Sequence, residues 1–134
     1  MNLFIINTNQ KTDKRYEQEM IQEQKCAAYR STKTHIESIL PEDKVLLYCN
    51  GKGIVARGVA DGRVKKKADN GENDAEYFMN LEEFYEYIKA VPYSKIRTIL
   101  EQANPSFARP FGTTSLKFGH PASEIIWEEV CKYV

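Results

Sequence analysis

The chemistry-bearing residues of this 134-residue chain point to binding rather than to bond-making. His35 and His120 have no Asp, Glu or nucleophile at a suggestive spacing. Cys26, Cys49 and Cys131 are odd in number, far apart and outside any CxxC pattern, so neither a nucleophilic dyad nor a zinc site is expected. Gly51-Lys52-Gly53 lacks both the length and the Lys-Ser/Thr of a phosphate-cradling P-loop. The carboxylates are scattered over polar, helix-like stretches, so no catalytic residue, cofactor or metal is expected. Binding groups are better represented. Phe107, Arg109, Phe111, Thr113 and Thr114 interleave aromatic, basic and hydroxyl groups in a stretch stiffened by Pro105, Pro110 and Gly112. Such a stretch can hold a stacking platform at little ordering cost, although the same phenylalanines can equally cap the end of a core. Arg63 and Lys65 to Lys67 form the basic cluster of the chain. On a strand, Arg63, Lys65 and Lys67 share one face, either as a phosphate-facing patch or as a lysine-guarded sheet edge.

The elements that must position these groups read as a mixed α+β order. Lys44 to Gly58, KVLLYCNGKGIVARG, is an apolar run, a polar turn and a second apolar run. Both runs are too continuously apolar for a strand with one wet face, so a central hairpin is expected, with Asn50-Gly51 supplying the positive dihedrals of its turn. Gly53 and Gly58 let the second strand bend or accept another backbone closely. This second strand is expected to run on through Val59 and Val64 into the basic run Arg63, Lys65, Lys66 and Lys67. A bent central hairpin in a chain of this size implies a small bent mixed β-barrel of five or six strands with surrounding helices, and such barrels place ligands at one mouth. Leu3 to Asn7 reads as a buried first strand, Asp13 to Ala28 as a solvated amphipathic helix carrying Tyr16, Met20 and Ala27, and His35 to Leu40 as a second short helix capped by Ser31 or Thr34. Ala68 to Asp74 is polar and turn-forming, and reads as a flexible loop tip. Tyr77, Met79 and Leu81 alternate as in a strand, while Glu82 to Lys89 fits strand or helix alike. Ser94 is placed to cap a helix over Lys95 to Gln102, Ser115 to Phe118 reads as a short strand, and Ala122 to Tyr133 as a closing helix.

No repeat, linker or low-complexity tract divides the chain, so a single domain over 1–134 is expected. Nineteen basic and nineteen acidic residues cancel, so any polyanion site must be local. No segment approaches the roughly 20 apolar residues of a membrane span, and Met1 to Asn7 is too short for a signal-peptide core. With three unpaired cysteines, a cytoplasmic protein with reduced thiols and no membrane partner is expected.

A first strand ending in Asn-Thr-Asn, a helix, the line AAYRSTKTHIESILPEDKVLLYCNGKGIVARGVADG, the segment VPYSKI, and FGTTSLKF before a Trp-bearing helix together resemble the EVE branch of the PUA-like fold. The resemblance covers nearly the whole chain. In such domains Gly-Asp usually precedes the strand that corresponds to VLLY, where this chain has Glu42-Asp43. The resemblance implies a compact barrel with a cleft that reads a nucleobase, often a modified one flipped out of DNA or RNA. It also implies that Asn7, Thr8 and Asn9 stand at that cleft and that Tyr29 and Arg30 face the ligand. An aromatic face and a guanidinium plane are what a splayed base stacks on. Each of these residues also has a plainer role: Asn and Thr form turns that bond their own backbone, and Tyr29 fits a core position. Lys52, at the central turn, is free either to meet phosphate or simply to be solvated, and Tyr48 and Trp127 read as core.

Three functions stay open at this point. The first is a non-catalytic domain that binds DNA or RNA through one base, modified or not, with a partner protein supplying any enzymatic activity. The second is a protein-interaction factor of a bacterial or phage defence or anti-defence system. The third is a small-molecule or nucleotide sensor using the same pocket.

Overall fold

The computed structural model describes residues 1–10, 12–105 and 115–134. The strands are β1 (Leu3–Asn7), β2 (Lys25–Tyr29), β3 (Lys44–Cys49), β4 (Gly53–Ala60), β5 (Lys65–Asp69), β6 (Glu72–Val91) and β7 (Ser115–Phe118). The helices are α1 (Lys14–Glu23), a 3-10 helix (Arg30–Ser38), α2 (Tyr93–Ala103) and α3 (Ala122–Val130). The strands form one curled sheet in the order β2-β6-β4-β3-β1-β7, with β5 also pairing β6. β1 and β3 run parallel and the other pairs antiparallel, giving the small bent mixed α+β half-barrel with helices packed around it.

The central strands are apolar throughout because helices cover both faces of the sheet. Phe4, Ile6, Val45 and Leu47 pack with Tyr16 and Met20 of α1 and Ile36 of the 3-10 helix. Their neighbours Leu3, Ile5, Leu46 and Tyr48 pack on the other face with Ile96 and Leu100 of α2 and Ile126 and Val130 of α3. One-residue alternation thus feeds two cores from the same strands. Trp127 is only partly buried, its ring under the Lys44 ammonium at 5.1 Å.

Several local expectations change. The expected helix from Asp13 to Ala28 ends at Glu23: Gln24 turns left-handed (φ 53), and Lys25 to Tyr29 become β2, paired with β6 from Asn80 to Glu76. The β4 strand stops at Ala60 and β5 begins at Lys65, so the basic cluster lies on a separate strand, with Lys65 and Lys67 opposite Phe78 and Glu76 and Arg63 outside it. Ala68 to Asp74 is a tight hairpin rather than a loop, turning through Asn70 (φ 50) and Gly71 (φ 81). Glu82 to Lys89 is strand, continuing β6 to Val91. In the central turn Gly51 alone carries the positive φ (88) of the Asn50-Gly51 pair, and the Lys52 N–H closes the turn on the Cys49 carbonyl at 3.0 Å. α2 starts at Tyr93 with Pro92 at its cap and no side-chain capping bond.

The turn into β3 is held by Asp43, which is 3 % exposed and accepts from the Asn2 and Leu40 N–H groups. Glu42, standing where the resembled pattern has glycine, adopts φ 71. A left-handed residue with a Cβ costs roughly 1–2 kcal/mol. Glu42→Gly is therefore expected to stabilise the fold by about 1 kcal/mol, read as a higher urea midpoint at unchanged slope.

Candidate functional site

A cavity of about 250 Å³ opens where the β1–α1 connection, α1 and the start of the 3-10 helix meet. Asn9 and Thr12 line it from the connection, Tyr16 from α1, and Tyr29, Arg30, Ser31 and Thr32 from the end of β2 into the 3-10 helix. The bend that brings Arg30 to the wall is explicit in its backbone, which is left-handed at φ 51, as is Asn9 at φ 58. Asn9 takes this conformation because its N–H is held by Asn7 Oδ1 at 2.7 Å, an Asx-type turn that ends β1.

Behind the cavity, the Tyr16 and Tyr29 rings stack with centroids 3.8 Å apart and planes at 15°. Burial pushes both phenols up, and both rings are almost wholly buried. Tyr16 Oη donates to Asp69 Oδ2 at 2.6 Å, and Arg30 Nη1 donates to the same oxygen at 2.8 Å and to Tyr16 Oη at 3.2 Å. Arg30 Nη2 reaches the Asp69 carbonyl at 3.3 Å. Partial burial alone raises an Asp carboxyl, yet the bonds from Tyr16 and Arg30 outweigh it and hold Asp69 below the ordinary carboxylate range. The tip of the β5–β6 hairpin is further tied to α1 by Arg15 Nη2 on Asn70 Oδ1 at 3.1 Å, and to the 3-10 helix by Lys33 Nζ on the Asp74 carbonyl at 2.9 Å.

Of the residues singled out in the sequence, Asn9, Tyr29 and Arg30 meet at this cavity. Asn7 and Thr8 do not line it. Asn7 spends its amide oxygen on its own turn, and Thr8, fully buried, donates from Oγ1 to Glu17 Oε1 at 3.0 Å. Lys52 is directed to the other oxygen of Glu17, at 3.4 Å. Arg109, Phe111, Thr113 and Thr114, with Phe107, lie outside the described residues. In the sequence Tyr16 reads only as an apolar position of a helix, and Asp69 as part of a loop. Each meets the site through contacts distant in sequence, and no local pattern marks such contacts.

Cys49 lies beside this polar group, its thiol pushed up to about 11 by burial and by neighbouring Glu17, and burial takes Cys26 up to about 12. Both thiols are protonated near neutral pH, so neither presents a nucleophilic thiolate. Among the described residues no three His, Cys, Asp or Glu side chains cluster as metal ligands, and no helix is long and apolar enough to cross a membrane.

No family model matches the sequence, and no curated protein matches it. The fold is similar to solved structures at very low identity. A hypothetical protein from Leishmania major aligns over 98 % of this chain and 93 % of its own with a TM-score of 0.61 at 8 % identity. A crystal structure of a Pseudomonas syringae protein aligns over 97 % of both chains with a TM-score of 0.57 at 8 % identity. An NMR structure of a Rhodopseudomonas palustris protein aligns over 98 % of this chain and 92 % of its own, with a TM-score of 0.56 at 12 % identity. At these identities the likeness carries architecture alone.

Proposed function

We propose that this chain is a non-catalytic nucleic-acid-binding domain that reads a single exposed base, modified or not, in the cavity between Asn9, Tyr29 and Arg30. The observation that carries this reading is the convergence of Asn9 with the adjacent pair Tyr29 and Arg30, distant from it in sequence, on one cavity of about 250 Å³. The EVE-like order of residues, with its implied base-reading cleft, supports the same role. The cavity lies below the roughly 300–1,000 Å³ of drug-sized pockets, a size that suits one ring system rather than an extended ligand.

The arrangement also defines how the base is held. Tyr16 already covers one face of Tyr29, so recognition relies less on a ring-on-ring stack than on the Asn9 amide and the hydroxyl of Ser31, with Arg30 lining the cavity beside them. Extruding a base from a duplex costs a few kcal/mol, and an open aromatic face is worth roughly 1–3 kcal/mol. With that face largely occupied, single-stranded substrate is favoured over duplex.

The test is a binding screen of single-stranded and duplex oligonucleotides carrying unmodified and modified bases. Tighter binding of one base in single strands, weakened at least tenfold by Arg30→Ala, is the expected result. Equal affinity for every base, or an affinity that Arg30→Ala leaves unchanged, would remove the base-reading role. The cavity's size also suits a sensor of free nucleotides, and binding of a mononucleotide more tightly than any oligonucleotide would select that reading instead.

A further inference from the structure

The donors of Arg30 are divided in a way that specifies what lies beside the base. Its end-on edge is consumed within the chain: Nη1 serves Asp69 Oδ2 and Tyr16 Oη, and Nη2 gives one hydrogen to the Asp69 carbonyl. A guanidinium has five N–H donors in a planar fork. Nε–H and the second Nη2 hydrogen, which form the side-on edge of that fork, have no partner among the described residues. This side chain lines the cavity and is 40 % exposed. Its backbone opens the 3-10 helix, whose first N–H groups, on Arg30 and Ser31, have no acceptor inside the helix. Ser31 and Thr32 line the same cavity.

We propose that the side-on edge of Arg30, together with the opening N–H groups of the 3-10 helix, is a phosphate subsite that grips the phosphoryl group flanking the bound base, and that Asp69 and Tyr16 act as positioning residues by fixing the guanidinium plane. A phosphoryl group offers two oxygens at the spacing of the Nε/Nη2 fork, whereas a lysine ammonium delivers the same charge with no fork. The end-on contacts to Asp69 and Tyr16 stop the side chain from sampling other rotamers, so little ordering remains to be done when the ligand arrives. This rests on the base-reading role and adds to it the group that the Arg30 fork recognises.

The experiment follows the Arg30 Nε–H resonance of the intact wild-type protein by NMR during separate titrations with inorganic phosphate, the four common nucleoside 5′-monophosphates and the matching nucleosides. Saturable displacement of that resonance by the monophosphates and by phosphate, and none by the nucleosides, is the expected result. Arg30→Lys should then lose at least tenfold in monophosphate affinity despite keeping its charge, and Tyr16→Phe should weaken it several-fold without moving the nucleoside response. A resonance unmoved by phosphate and monophosphates alike, or an Arg30→Lys protein that binds monophosphate as wild type does, overturns the subsite. The two readings fail separately. An oligonucleotide bound with base selectivity while Nε–H stays still sinks the subsite and leaves base reading standing. Monophosphates that bind through the fork regardless of base, with no selective oligonucleotide, do the reverse.

Discussion

Gly53→Ala is expected to cost at least about 4 kcal/mol of stability, while Gly51→Ala, two residues away in the same turn, is expected to cost about 1–2 kcal/mol. Both glycines are left-handed, at φ 115 and φ 88, so the backbone penalty is shared. What separates them is space. A Cβ on Gly51 would meet nothing within 4 Å, whereas one on Gly53 would overlap the Val91 carbonyl oxygen and sit 2.8 Å from its carbon and 2.9 Å from Pro92 Cα. These are backbone atoms at the end of β6, pinned where Ile54 pairs with Val91, and they cannot swing aside as a side chain would. Relief requires β4 and β6 to separate at the point where β3 also shifts register between Leu47 and Tyr48. Urea unfolding of the two variants side by side checks the difference. If Gly53→Ala lost no more than Gly51→Ala, the close approach of β4 to β6 would not be a constraint on the fold.

That close approach was legible in the sequence, because a glycine within an otherwise continuous apolar strand weakens the strand unless a bend or a neighbouring backbone needs the space. The central hairpin was legible for a related reason: residues buried on both faces of a sheet leave no polar phase to confuse the pattern, and Val45 to Cys49 are buried in unbroken succession. β2 was not legible. Lys25-Cys26-Ala27-Ala28 follows a run of strong helix formers and contains nothing that resists a helix, so only its pairing with β6 makes it a strand. The hairpin at Asn70-Gly71 was hidden by composition. Its flanks are Lys, Asp and Glu, and they carry no apolar alternation to set against the polar turn. The site divides along the same line. Asn9, Tyr29 and Arg30 stand in or beside segments whose order resembles a known pattern, while Tyr16 and Asp69 join them through contacts that depend on where α1 and the β5–β6 hairpin fold back. Local pattern names the residues that end a strand; it does not name what packs over them.

The least legible feature has the second of the two largest expected effects. Lys25, which reads in the sequence as a solvated helical residue, is fully buried, and its ammonium lies 2.7 Å from Oε2 of the equally buried Glu76 and 4.5 Å above the Phe78 ring. Glu23, half exposed, approaches the same nitrogen at 3.4 Å. Glu76→Leu is expected to destabilise the protein by about 3–5 kcal/mol, because it leaves a buried ammonium with only the half-exposed carboxylate of Glu23. Lys25→Met combined with Glu76→Leu is expected to recover most of that loss, since two apolar side chains of similar volume need no desolvation of charge. The pair stands at the back of the candidate site. Glu76 is directly opposite Tyr29 in the β2–β6 register, and both Tyr29 Oη and Glu76 Oε1 are buried without a hydrogen bond among the described residues. Unpaired buried polar atoms cost more than the apolar groups that could replace them, so the cluster is not there to maximise stability. Opposite Tyr29 in the register, the pair is placed where it could support the Tyr29 ring under Tyr16, and through that stack the Tyr16 hydroxyl that Arg30 bonds. The double variant therefore separates two contributions that the single variant merges. Near wild-type urea midpoint with weakened ligand binding identifies the ion pair as a support for the Tyr29 wall, whereas recovery of both identifies it as replaceable packing. Failure of the double variant to recover stability would show that the cost of Glu76→Leu comes from lost shape rather than from a stranded charge.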